Sequence, residues 1–189
     1  MSEAIDRNGA KVRRGDSVKI VEIDATLLKS LPDEEQSFVR SMLNTECAIQ
    51  EVADGGFAVV ERTWPHGTNG LISHSLALSS TEMELTRTLP ADLTDFHLDV
   101  VGCLLNDLES IATIEDDLLS AALAQVSRSK ISSALVAAQS HGLAQAYTYN
   151  PKARAYEKVT CIDESAIDTY WWKATTEGKY LFGLDAQPL

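Results

Sequence analysis

The side chains best suited to hold a metal or attack a carbonyl in this sequence are four histidines and three cysteines. His66, His74, His97 and His141 stand at no i, i+4 or other short ligand spacing, either with each other or with Cys47, Cys103 and Cys161. A zinc site would therefore have to be assembled from distant pieces. A Cys–His nucleophile is open to any chain holding both residues, but Cys103 falls on an apolar helical stripe, where a thiol stays protonated and inert. With no Cys-x-x-Cys pair and an odd count, the cysteines read as reduced, mostly buried small hydrophobes. Neither Gly-x-x-x-x-Gly-Lys nor Gly-x-Gly-x-x-Gly occurs, so no phosphate cradle is indicated. The expectation is a chain that is not an enzyme, with no catalytic residues, no metal and no cofactor.

Charge offers a second kind of chemistry. Over 189 residues, 28 acids face 16 bases, a formal charge of -12 that repels polyanions and anionic membranes at long range. Yet from Arg128 to Lys158 the bases Arg128, Lys130, Lys152, Arg154 and Lys158 meet the single acid Glu157. From Asp92 to Asp117 the reverse holds: eight acids and no Lys or Arg. The second half should thus have two electrical faces. No apolar run reaches the roughly 20 residues that span a membrane, and the N-terminus lacks the basic-then-apolar plan of a secretion signal, so a cytoplasmic protein is expected.

The elements that must position these groups divide into two halves by period. From Lys11 to about Leu85, short apolar stretches alternate with Gly, Asp and Asn, the pattern of a strongly turned β structure. Gly15-Asp16 precedes a strand in which Val18 and Ile20 share a face. Pro32, then Asp33, Glu34 and Glu35, start a helix in which Phe38, Met42 and Leu43 recur at helical spacing. Strands at Cys47–Val52 and Phe57–Arg62 flank Asp54-Gly55-Gly56, which supplies the positive φ of a tight hairpin. A last strand is expected at Glu82–Leu85. Trp64-Pro65-His66-Gly67 opens the most unusual loop, in which Trp64 and His66 could grip a partner or pack on the rim.

Pro90 marks the boundary, and beyond it the period turns helical. Phe96, Val100, Val101, Leu104, Leu105 and Leu108 predict a helix from Asp95 to Ser110. Thr113 caps a second helix with Leu118, Leu119, Ala122 and Val126 buried, ending near Gln125. Ser127 caps a third, with Ile131, Ala134, Leu135 and Ala138 inward and His141-Gly142 as the stop. Strands follow at Leu143–Tyr149 and Ala155–Cys161 around a polar loop, then at Tyr170–Lys173, then helical character from Lys179 to Leu184.

The Gly15-Asp16 turn, the Asp54-Gly55-Gly56 hairpin and the closing Glu82-Met83-Glu84-Leu85 make the first half similar to SH3-like barrels with an inserted helix. Such barrels serve as docking modules, so the likeness implies interaction rather than chemistry. The second half resembles the winged helix-turn-helix superfamily, in particular multiple-antibiotic-resistance-type regulators. What carries that likeness is the tri-helical run, Ser127-Arg128-Ser129-Lys130, Gly142-Leu143, the Tyr149-Asn150-Pro151-Lys152 wing, and Trp172-Lys173-Ala174-Thr175-Thr176-Glu177-Gly178. The expected fold class is α+β: a flexible N-terminus (1–10), an SH3-like β-barrel (11–87), a linker (88–94) and a winged-helix domain (95–189).

Two functions follow. In one, an interaction protein docks both modules onto a protein partner, with Trp64, His66, Trp171 and Trp172 as candidate contacts. Trp171 and Trp172 point to opposite faces of a strand, and the outward one marks a contact or homodimer surface. In the other, the winged-helix resemblance implies a regulator whose third helix enters the major groove. Ser127, Arg128, Ser129, Lys130, Ser132, Ser133 and Gln139 would meet DNA there, with Lys152, Arg154 and Lys158 on phosphate. Five cations are a thin footprint, so that regulator would work as a dimer. A charge of -7 over Thr88–Leu189, from 7 bases and 14 acids, tilts the balance to protein docking.

Overall fold

The computed structural model describes residues 3–66, 70–121 and 126–184, the His66 side chain excepted. The fold is α+β with antiparallel sheets, in two compact units: the chain up to Pro90 together with the stretch from Tyr180 on, and Ala91–Lys179. The change of period at Pro90 groups that last stretch with the second half. It belongs to the first because Leu181 is buried there and its carbonyl accepts a 2.7 Å hydrogen bond from the Gln50 side chain.

The first unit contains β1 (Ala4–Ile5), β2 (Lys11–Val12), β3 (Ser17–Ile20), α1 (Ala25–Ser30), α2 (Asp33–Ser41), β4 (Glu46–Ala53), β5 (Phe57–His66), β6 (Gly70–Leu78) and β7 (Met83–Arg87). Its five-stranded sheet runs β6-β5-β4-β3-β7, and β1 pairs with β2 beside it. Val18, Ile20, Ile49, Val60, Leu78 and Met83 fill the core beneath Val39 and Met42 of the α2 segment. Gly55 and Gly56 take the positive φ expected of the β4–β5 turn.

Three expectations for this half are corrected. The sheet does not close into a barrel, because β6 and β7 are its edges and no ladder joins them among the described residues. The long β5–β6 hairpin runs past β4, which pairs with β5 only as far as Val60. The start of the chain is held from Ala4 on, since Ala4 pairs with Val12 and is buried. Finally, Trp64 is not in a loop but in β5, paired with Ile72.

The second unit contains α3 (Asp95–Gly102), α4 (Ile111–Ser120), α5 (Arg128–Ser140), β8 (Ala144–Asn150), β9 (Ala155–Lys158), a 3-10 turn (Glu164–Thr169), β10 (Trp171–Ala174) and all but the last residue of α6 (Thr176–Tyr180). The helix expected to reach Ser110 stops at Gly102, because the chain leaves it to pair with β10. The Leu104 carbonyl accepts from Ala174 N–H, and Glu109 exchanges two 2.8 Å backbone hydrogen bonds with Trp172. Consequently Ser110, not Thr113, caps α4. Leu119, expected to be buried, is 54% exposed, while Ile111, Ile114 and Leu118 make the inner face. Ala122 and the expected helix end near Gln125 lie outside the described residues. The terminal helix forms earlier than expected, before Leu181. No helix among the described residues is long and apolar enough to cross a membrane.

Candidate partner-binding face

The two groups of candidate contacts differ in their surroundings. Ser127 does cap α5, accepting from the Lys130 N–H at 3.4 Å, and Ile131, Ala134, Leu135 and Ala138 form the buried face. Ser129, Lys130 and Ser133 lie on the exposed side, and Ser132 is half-buried. The Ser133 hydroxyl donates back to the Ser129 carbonyl. Arg128 is engaged: its Nε sits 2.8 Å from Glu115 Oε2 on α4. That hydrogen bond, then the Glu115 charge, holds the guanidinium pKa above its ordinary value. Gln139 is engaged too, its Oε1 accepting from Ala146 N–H and its Nε2 donating to the Val159 carbonyl. It ties α5 to the sheet instead of facing outward.

The exposed cations of the β8–β9 hairpin flank a well-defined turn. Asn150 Oδ1 accepts from the backbone N–H groups of Lys152 and Ala153, and Arg154 adopts a left-handed φ of 51°. Lys152, Arg154 and Lys158 are all exposed, whereas Glu157 is drawn to the Asn150 amide at 2.7 Å.

Strand alternation and register then sort the side chains of the three-stranded sheet, ordered β10-β8-β9. Tyr147 opposes Trp171 on one side and Lys158 on the other, Tyr149 opposes Tyr156, and Gln145 opposes Lys173. These residues share one face. Ala144, Ala146, Trp172 and Ala174 share the other and are buried. Of the two tryptophans, Trp172 is therefore core, at 0% exposure, and is no contact residue; Trp171 is half-buried on the outer face. Its ring meets Tyr156 edge-on at 5.7 Å, and Tyr156 meets Tyr149 at 5.3 Å. Tyr149 is 48% and Tyr156 40% exposed. The outer face thus carries four aromatic side chains, Trp171, Tyr147, Tyr149 and Tyr156, flanked by Lys158 and Lys173. Lys173 was not singled out from the sequence, because its place depends on the register of β10 against β8.

In the first unit Trp64 is half-buried against the core, 5.4 Å from Phe38 of α2 and 6.0 Å from His74 of β6, with the Arg62 guanidinium 5.8 Å from its ring. It packs instead of reaching outward, and the His66 side chain lies outside the described residues. No group of three metal-binding side chains gathers among the described residues. Burial, followed by the Asp117, Asp99 and Glu109 charges, pushes the Cys103 thiol up to about 11. A neutral thiol is a poor nucleophile. No family model, curated protein or solved structure matches the chain.

Proposed function

We propose that the chain is a non-enzymatic interaction protein, in which an SH3-like first unit with an open sheet and a winged-helix second unit dock onto a protein partner. The helix–helix–helix–hairpin order and the Glu109–Trp172 bridge support the winged-helix plan. Five antiparallel strands with helices inserted after β3 support the SH3-like one. The observation that carries the function is the outer face of β10-β8-β9. Aromatic rings exposed on a sheet face are the kind of anchor from which protein interfaces are built.

A second reading, a dimeric DNA-binding regulator, rests on the exposed Lys130 at the start of α5 and on Lys152, Arg154 and Lys158 in the wing. It is the weaker of the two because Arg128 is paired with Glu115 and Gln139 with the sheet. Contacts to phosphate release counterions and make affinity fall steeply with salt. Titrating a labelled random-sequence duplex at low salt should therefore give a flat baseline. Salt-dependent binding that charge reversal at Lys152 and Arg154 abolishes would overturn the docking proposal in favour of the regulator.

A further inference from the structure

We infer that the outer edge of β9 receives an extended segment of the partner protein as an added strand, one that carries an acidic residue two positions from a β-branched one. The inference rests on the docking proposal and specifies its ligand.

Val159 N–H donates to the Ala146 carbonyl at 2.9 Å, which places 146 and 159 in a hydrogen-bonded pair of the β8–β9 ladder. Antiparallel pairs alternate, so Thr148–Glu157 and Asn150–Ala155 are hydrogen-bonded pairs, whereas Tyr147–Lys158 and Tyr149–Tyr156 are not. The N–H and C=O groups of Tyr156 and Lys158 therefore point away from β8. Among the described residues β9 ends the strand order, and Ala155–Lys158 are exposed throughout. An open row of backbone donors and acceptors is a template for another strand.

The side chains then state what that strand should carry. Residues of an added strand lie directly opposite Tyr156 and Lys158 on the outer face, and opposite Ala155 and Glu157 on the inner one. An acid opposite Lys158 and a β-branched residue opposite the Tyr156 ring are the favourable cross-strand pairs, whereas an acid opposite Glu157 is unfavourable. Lys152 and Arg154 at the adjoining turn extend the preference for a negative segment. A polynucleotide would use the rings and the lysines but not the strand edge.

The test is NMR of the full-length protein with the peptide acetyl-Thr-Glu-Thr-Val-Thr-Glu-Thr-amide, whose palindromic order serves either strand direction. Amide shifts should centre on Tyr156 and Lys158 at millimolar peptide, and Lys158→Glu should weaken the binding about fivefold. The same peptide with Lys in place of Glu, or N-methylated at alternate residues, should leave those amides unmoved. An unmoved β9 edge with the Glu peptide would overturn the inference. Equal binding of the N-methylated peptide at the rings would overturn strand addition while leaving the docking proposal intact. Stronger shifts of this face with a short oligothymidylate would overturn both.

Discussion

Asp6 is a buried carboxylate held by three backbone donors: Oδ1 accepts from Asn8 and Ala10 N–H, and Oδ2 from Leu85 N–H across the fold. Burial alone would raise its pKa, but the donations from Leu85, Ala10 and Asn8 outweigh it and hold the carboxyl below its ordinary value. Asp6→Asn keeps the shape yet sets an amide NH2 against the Leu85 N–H in one flip and against the Asn8 and Ala10 N–H groups in the other. A loss of about 2 kcal/mol in chemical denaturation is expected. Because the folded pKa is depressed, the carboxylate's contribution is present above the unfolded value of about 3.9 and disappears as pH falls through the lower folded value. The gap between wild type and variant should accordingly be full at neutral pH and narrow under acid. A gap that widened under acid would show that burial, not the donors, governs the group. Little of this residue-scale detail is legible in the sequence. Asp6 fell in a stretch read as flexible, and the Arg128–Glu115 pair joins two helices whose packing no local pattern encodes.

At the scale of elements, legibility followed the locality of the cause. The ends and buried face of α5 are readable because its Ser127 cap, its inward Ile131, Ala134, Leu135 and Ala138 and its His141-Gly142 stop are all near-neighbour effects. β6 was missed although Ile72, His74, Leu76 and Leu78 alternate with Ser73, Ala77 and their neighbours, since a polar His and an upstream Pro65 and Gly67 read as loop. The end of α3 was missed because it is set by pairing with β10, some seventy residues on. The passage from β10 to α6 shows a local motif meeting a distant need. Thr175 donates its hydroxyl to the Gly142 carbonyl at 2.6 Å and its N–H to the Leu143 carbonyl at 3.0 Å, and Gly178 N–H returns to the Thr175 hydroxyl. Gly178 lies so close that a Cβ there would collide with the Leu143 carbonyl and crowd Val101. Gly178→Ala should destabilise the second unit by about 2–3 kcal/mol in thermal or denaturant unfolding. Thr175→Val, which keeps the volume but deletes the hydroxyl, should cost about 1–2 kcal/mol by orphaning the Gly178 N–H. A neutral outcome for both would mean that this passage is not what anchors α6.

For the molecule as a whole, period and composition located the change of character at Pro90 but not the return of the chain to the first unit. Nothing local marks that return; its determinants are a side chain 131 residues away and a glycine. Gln50 reaches the Leu181 carbonyl, Leu181 is buried, and Gly183, at φ 66°, brings its backbone against the Glu61 carbonyl where no side chain would fit. Tyr180 joins them, with the Arg87 guanidinium 5.4 Å from its ring and its phenol pushed up to about 12, chiefly by burial. Ending the chain after Lys179 would therefore remove a buried leucine, a ring stacked on a cation and one partner of Gln50. The loss sums to roughly 3 kcal/mol, or a drop of about 10–20 °C in the melting of a unit this size. Hydrogen exchange would locate the damage: protection should fall first in β4 and β5, the strands holding Gln50 and Glu61. The single change Leu181→Ala should reproduce the larger share of the effect, because apolar burial outweighs one solvent-competed hydrogen bond. If the truncated chain kept its β4 and β5 protection, the first unit would be complete without the returning segment.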